Sequence, residues 1–425
     1  MTESGRTTER IRAGLTRRHR AEQRFRAYGV AAISFGMLAV LVLLIDIFGK
    51  GHGAFQQTYL QLRVHYDPQL LEITDASDPN QLEGGNFQAV VREALRQRLG
   101  EPSGRAERRE QNALVSSGAA YELRQRLRQR PELLGTVEQL WLAADDDIDA
   151  WFKTRGGEEF TGRISPKQVE WVNALAADGD AGLRFNSGFF TSGDSREPEQ
   201  AGIAGAIVGS LLTLAVTLAL SFPMGVAAAI YLEEFAPQNR WTDFIEVNIN
   251  NLAAVPSIIF GLLGLAVFIN FFEVPRSAPV LGGLVLTLIT LPTVIISSRA
   301  AIKAVPPSIR EAALGIGASK MQMVLGHVLP LAMPGMLTGA IIGMAHALGE
   351  TAPLLMIGMV AFIVDVPSGF TEPATVLPVQ IFLWADSPER AFVEKTSGAI
   401  MVLLVFLALM NALAVVLRRR LERQW

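Results

Sequence analysis

The sequence predicts an all-α polytopic membrane protein of six transmembrane helices carrying an α+β periplasmic insert. Three observations predict it: six apolar stretches of span length, a charged block between the first and second of them, and the sidedness of the basic residues. Half of the 425 residues are hydrophobic, but they are unevenly spread. Residues 50–200 hold 18 basic and 24 acidic side chains, whereas residues 201–425 hold only 12 and 13, bunched between long uncharged runs. That pattern excludes a single soluble domain and a disordered chain. The net charge of −3 gives no case for a nucleic-acid partner. With no cysteine, disulfides, thiolate chemistry and Cys-ligated metals are excluded.

A helix needs about 20 apolar residues to cross a bilayer core of about 30 Å. The qualifying stretches are Tyr28–Phe48, Gly202–Leu232, Val247–Phe272, Ser277–Ser298, Pro334–Val364 and Thr396–Leu417. The first could instead be a cleaved signal peptide, but its basic leader is long and Ile45-Asp-Ile-Phe-Gly-Lys50 offers no small-x-small cleavage site. A retained anchor is the reading it favours. Lysine and arginine in the short flanks set the orientation. Arg6 through Arg26, Arg240, Arg299, Lys303, Arg310, Lys320, Arg418, Arg419, Arg420 and Arg423 fall on one side; only Arg276, Arg390 and Lys395 fall on the other. Both termini are therefore expected in the cytoplasm. The acidic loop Glu233–Glu246 argues weakly the other way. The expected divisions are a basic N-terminus (1–27), a first span (28–48), the insert (49–200), a core of five spans (201–417) with a cytoplasmic loop (299–333), and a basic tail (418–425).

In the insert, Tyr59–Tyr66 alternates as a strand and Asp67-Pro68 turns it. Helices are expected over Phe87–Leu99, Ala119–Arg130, Leu133–Leu142 and Pro166–Ala177, the last opened by Ser165 as N-cap. Asp145, Asp146, Asp147 and Asp149 suggest a calcium loop, yet Ala150 and Gly156 stand where the EF-hand needs Gly and Glu. A solvated acidic turn capping the following helix is the simpler reading, and no metal site is expected. Arg124, Arg126, Arg128 and Arg130 recur every second residue, which spreads them around a helix; they read as solvated surface or as a docking patch for an acidic partner. His52 and His65 have no catalytic or metal-ligand partner at a meaningful spacing, and the insert shows no catalytic constellation.

The loop between the fourth and fifth spans carries Glu311-Ala312-Ala313, three residues, Gly317, nine residues, then His327-Val328-Leu329-Pro330. Its pattern predicts a short helix, a Gly-permitted bend, and a second short helix ended by Pro330. An exposed helical hairpin of this kind can lie in a groove on a partner and pass rigid-body motion to the helices it joins. No G-x-x-x-x-G-K-[ST] sequence occurs, so the chain has no P-loop of its own.

The hairpin resembles the EAA motif of ABC importer permeases, with every spacing intact and His327 in place of the usual Ile. Further stretches are similar to the PstA permease family of the bacterial phosphate importer, in its long-insert variant: Gly209–Thr213, Pro223–Pro237, Asn251–Gly261, Gly349–Leu355, and Phe185-Asn186 with Phe189–Pro198 in the insert. The resemblance implies a type I ABC importer permease fold in the bacterial inner membrane, multi-pass with the insert in the periplasm, and inward movement of inorganic phosphate by alternating access. It also implies a PstC-like second permease, a dimeric PstB-like ATPase that uses ATP and Mg, and a periplasmic phosphate-binding protein. The chain itself would bind no cofactor and catalyse nothing. It would place ATPase coupling on Glu311, Ala312, Ala313, Gly317, Leu329 and Pro330. A permease for molybdate or sulfate, and a signalling protein whose insert senses an external ligand, remain the rival readings.

Glu350 falls near the middle of the predicted fifth span. An ionisable group there costs about 2.5–3.5 kcal/mol and should face protein or water with a partner. His346 lies one turn earlier on the same face. Related permeases often carry Arg at that position, so a direct phosphate contact by His346 is in question. Glu350, His346 and the adjoining Thr351 are the candidate pathway residues; interhelical glue is the alternative role. Pro223, Pro256 and Pro292, with Asn248, Asn250, Asn251, Ser257 and Thr293, read more simply as packing devices than as pathway lining.

Overall fold

The computed structural model describes residues 3–155, 162–360 and 362–421; Gly156 of the acidic loop and Arg423 of the tail lie outside the described residues. The chain divides into two units, residues 1–50 and 51–425. The first is helical throughout its described length. In α1 (Glu3–Gly51) the basic leader and the apolar run over 28–48 are one helix. No proline precedes Pro68 to stop it, and Lys50 pairs with Asp46 one turn earlier at 2.7 Å.

The second unit opens with a three-stranded antiparallel sheet of order β2-β1-β3, with β1 (Gln56–His65) between β2 (Val137–Ala143) and β3 (Ala181–Phe185). Leu60 pairs with Leu142 and Leu62 with Leu140, so one face of the pleat is apolar. Helices α2 (Phe87–Leu99), α3 (Ala119–Gln129), α4 (Asp146–Thr154) and α5 (Pro166–Ala177) cover it with Val91, Leu95, Leu123, Leu127, Ile148 and Val172. Ser165 caps α5 in a full capping box with Gln168, as the sequence predicts. Leu133–Leu142 is a correction: a 3-10 turn covers Pro131–Leu133 and Val137 onward is strand. Leu140 and Leu142 are buried while Gln139 is exposed and Trp141 half-buried, an alternation that suits a pleat, and pairing along β1 supplies the hydrogen bonds.

Beyond residue 200 the chain is a helical bundle of α6 (Ala204–Ile230), α7 (Arg240–Ala253), α8 (Ser257–Leu263), α9 (Pro279–Lys303), α10 (Pro307–Gly315), α11 (Lys320–Gly349), α12 (Ala352–Met356), α13 (Leu377–Ala385) and α14 (Ala391–Leu421). Five helices among the described residues are long and apolar enough to cross a membrane, or six if one bent pair counts as a single span. That pair corrects the predicted span Val247–Phe272. The helix stops at Ala253 and α8 leaves at 102° to α7. Pro256 removes an N–H and biases Val255 away from helix. Pro223 and Pro292, by contrast, stay inside α6 and α9.

The fifth span is corrected at both ends. Pro330 does not end a short helix: α11 runs from Lys320 through it to Gly349. A π-helical turn at Val324–Val328 comes immediately before the proline. Proline in a helix interior removes one backbone hydrogen bond, and π turns occur as local widenings within α-helices. At the far end the helix closes at Gly349, and Glu350 is extended (φ −77°, ψ 111°) before α12. Glu350 therefore sits at a break between two helices, not within one.

Small residues let the spans approach. A Cβ on Gly339 would lie 1.8 Å from Ser297 Oγ, and one on Gly335 would lie 2.7 Å from Ala301 Cβ. The spacing Gly335-x-x-x-Gly339 on α11 thus meets Ser297-x-x-x-Ala301 on α9, a small-xxx-small contact.

Candidate coupling and pathway sites

The hairpin is built by local signals. Pro307 opens α10 at a position where its missing N–H costs nothing. Gly317, at φ +88°, ends the helix in the left-handed region; Gly317 N–H donates to Leu314 O and Ala318 N–H to Ala313 O. Ser319 then starts α11 with a capping box, its Oγ accepting from Gln322 N–H and Gln322 Oε1 from Ser319 N–H. Ala313 is buried, while Glu311, Ala312 and Gly317 are exposed. Leu314, Ile316 and Met321 are exposed apolar side chains at the tip, Ile316 by 83%. Behind the tip, Ile302, Val305, Ala313, Met323, Val324 and Val328 form one buried cluster with Ala229 of α6. The exposed face is free for a partner and the opposite face is fixed to the spans.

An ion network that sequence reasoning missed surrounds this cluster. Glu233 and Glu234 lie in a π-helical turn (Tyr231–Phe235) ending α6. Arg299 on α9 pairs with Glu233 at 2.5 Å and with Glu246 on α7 at 2.6 Å; Lys303 reaches Glu233 at 3.3 Å. Arg310, the residue before Glu311, pairs with Glu234 at 3.0 Å. Three carboxylates of the acidic loop that argued against the orientation are thus neutralised by the very basic residues that argued for it. Separations of 66 and 76 residues hid these pairs; the only signal was a doubled Glu at the end of an apolar run.

The pathway residues lie at the other end of α11. His346 Nε2 is 3.0 Å from Glu350 Oε1, with the histidine side chain 64% exposed and the glutamate 15%. Thr351 belongs to the break itself, its carbonyl accepting from Leu354 and Leu355 N–H. The break is held by α8, where a Cβ on Gly261 would meet Pro353 Cα at 2.7 Å. The two interrupted spans therefore pack on each other where α8 meets α12. The structure does not bring the coupling and pathway sets together; it joins them as the two ends of one helix. The 21 residues from Leu329 to Gly349 separate them by about 30 Å at 1.5 Å per residue.

At the insert, Asp145, Asp146 and Asp147 carboxylates lie within 4.8 Å of one another. Asp145 caps α4 by accepting from Asp147 N–H, but the turn is half-buried rather than solvated as expected. Burial, then Asp146 and Glu199, push Asp145 up to about 8. Asp149 is not part of that turn's surface. It accepts from Thr58 N–H at 2.7 Å and pairs with Lys153, which also holds Glu394 of α14 at 2.7 Å. Burial works against the Lys153 charge, but the two carboxylates prevail and its pKa is raised. Of the arginine series, Arg130 pairs with Glu138, and Arg126 with Glu122 and Glu138, while Arg124 and Arg128 line an open groove of about 650 Å³ with Gln125, Ser77 and Glu83. The Phe189–Pro198 stretch is structural: Phe189 is buried with Trp384 and Phe392, and Trp384 Nε1–H donates to Asp194 at 2.9 Å.

Span-length apolar helices in a bundle, with an exposed helical hairpin backed by a buried cluster, define a polytopic membrane protein. Residues 221–425 match the family model described as binding-protein-dependent transport system inner membrane component, and residues 12–161 match a domain of unknown function, DUF3333. The phosphate transport system permease protein PstA 1 of Mycobacterium tuberculosis (strain CDC 1551 / Oshkosh) is 30% identical over 223 residues, 52% of this chain and 72% of that protein. PstA of Yersinia pestis is 32% identical over 214 residues, covering 50% and 71%. The probable ABC transporter permease protein YqgI of Bacillus subtilis (strain 168) is 34% identical over 168 residues, 39% of this chain, which spans only 56% of that relative. The chain belongs to the binding-protein-dependent inner membrane permease family and is a homologue of its PstA members.

Proposed function

We propose that this chain is the PstA-like membrane subunit of an ATP-driven importer that carries inorganic phosphate into the cytoplasm by alternating access. Both termini and the hairpin lie on the cytoplasmic side and the insert on the periplasmic side. The chain performs no catalytic step and holds no cofactor. A dimeric PstB-like ATPase uses ATP and Mg beneath the hairpin, a PstC-like permease completes the pathway, and a periplasmic phosphate-binding protein delivers the substrate. The observation that carries this reading is the uninterrupted α11: a helix that begins at the hairpin and ends at Glu350 turns displacement at the ATPase into displacement at the break. ATP shifts the bundle only if its hydrolysis cycle favours one arrangement over the other, and a stiff connection supplies that preference at a distance.

Proteoliposomes holding the complete complex test it. Labelled phosphate should accumulate only with internal ATP and the binding protein present. Uptake of molybdate or sulfate but not phosphate refutes the substrate, and no uptake by an intact complex favours a sensor. Glu350→Gln should abolish uptake while the complex still assembles; lost assembly would make Glu350 a helix-to-helix glue residue.

A further inference from the structure

We infer that Arg310 and Glu234 are the positioning pair through which the hairpin moves two spans at once. This rests on the proposed import function and names residues outside the E-A-A motif that make its coupling work. Arg310 is one guanidinium engaged three ways. Its Nε–H donates to Glu234 Oε1 at 3.0 Å, its Nη1–H to Val305 O at 2.6 Å, and its Nη2–H to Ile302 O at 2.8 Å. Glu234 belongs to the turn ending α6, Ile302 to the last turn of α9 and Val305 to the link just after it, and Arg310 itself to the hairpin helix α10. Three elements meet on one side chain.

The chemistry requires arginine. Five N–H donors in a planar fork can serve a carboxylate and two carbonyls together, whereas an ammonium is a point charge on a flexible stem. The site is also closed: Glu234 is 7% exposed and Arg310 21%, so water does not readily substitute for either partner. The second arm of the hairpin is tied to the same turn, because Lys320, at the start of α11, sits over the Phe235 ring at 5.3 Å. The turn Tyr231–Phe235 thus grips both arms. A displaced α10 carries the ends of α6 and α9 with it as long as the Arg310 contacts hold.

The test uses the complete complex in proteoliposomes, reading phosphate taken up per ATP hydrolysed and ATP hydrolysis relative to the ATPase subunit alone. Glu234→Gln keeps shape and loses the charge; Arg310→Lys keeps the charge and loses the fork. Each should cut uptake per ATP about tenfold, the scale of weakening one charge-assisted contact between largely buried partners, with the complex recovered at wild-type yield. The double variant Glu234→Gln/Arg310→Lys should be no worse than the poorer single, because both break one contact. An unchanged uptake-to-hydrolysis ratio in both singles, additive losses in the double, or reduced yield with an intact ratio would overturn the inference. If the wild-type complex accumulates no phosphate, the functional reading fails; the pair is still judged by whether the variants return hydrolysis to the rate of the free ATPase.

Discussion

Gly339→Ala tests the contact on which α11 rests. The new Cβ would lie 1.8 Å from Ser297 Oγ and 2.3 Å from Ser297 Cβ. Rotating Ser297 can move the oxygen, which donates to Thr293 O at 2.7 Å, but not the Cβ. Carbon atoms need about 3.5–4.0 Å, so the helices must part by more than 1 Å. Overpacking of this kind costs about 1–3 kcal/mol, and the greater helix propensity of alanine returns at most about 1 kcal/mol. An approach of 2.3 Å to an immovable carbon places the cost at the upper end, about 3 kcal/mol, so the net expectation is a loss of about 2 kcal/mol, measured by unfolding of the full chain in mixed micelles titrated with denaturing detergent. Gly36→Ala, where the added Cβ meets nothing within 4 Å, should lose nothing. Ser297→Gly should recover most of the Gly339→Ala loss because it removes both clashing atoms. A Gly339→Ala variant as stable as wild type, or one that Ser297→Gly fails to rescue, refutes the close-contact reasoning.

Three further outcomes follow from the geometry. Asp145 is held mainly by burial at about 8, well above its unfolded value, so the folded state binds the extra proton and stability should fall as pH rises from about 4 to 8; Asp145→Asn, which can still cap α4, should flatten that slope in pH-dependent unfolding, and an unaltered slope counts against it. Lys153→Met should destabilise by about 3 kcal/mol by leaving the buried carboxylate of Asp149 without its cation, seen as faster hydrogen exchange in α4 and β1, with Asp149→Asn added back restoring protection; no change in exchange would mean the pair is energetically idle. Gly317→Val forces a β-branched side chain into φ +88°, at a cost of about 1–3 kcal/mol, and should lower uptake per ATP while the α10 helix signal persists; unchanged coupling would show that the turn is not the hairpin's hinge.

Much of this was legible because it depends on local signals. The Tyr59–Tyr66 alternation, the Ser165 cap and the Gly317 bend each rest on a few neighbouring residues. What escaped depends on context. Pro256, Pro223 and Pro292 look alike inside apolar runs, yet only Pro256 breaks its span. Pro223 and Pro292 sit in helices that bury many side chains against neighbours, whereas α7, just before Pro256, buries none. Packing holds a proline-bearing helix straight where propensity would not. Pro330 misled in the opposite direction, since α11 runs through it from Lys320 to Gly349. The strand at Val137 was misread as helix because its leucines suit either period over so short a run.

Correcting α11 alters what Glu350 can do. Inside a continuous span, a carboxylate moves with its helix and its surroundings change only if neighbouring helices slide past it. At a break it sits between two bodies, α11 on one side and α12 on the other, and α12 is locked to α8 through the Gly261 and Pro353 backbone contact. On the import function proposed above, a displacement entering α11 at the hairpin would shift α11 against α12 at Glu350. His346, 3.0 Å from Glu350, belongs to α11, and Thr351 is the N-cap residue of α12. Partners on two separate elements would give Glu350, as a candidate pathway residue, the differential contacts that a two-state transport cycle requires.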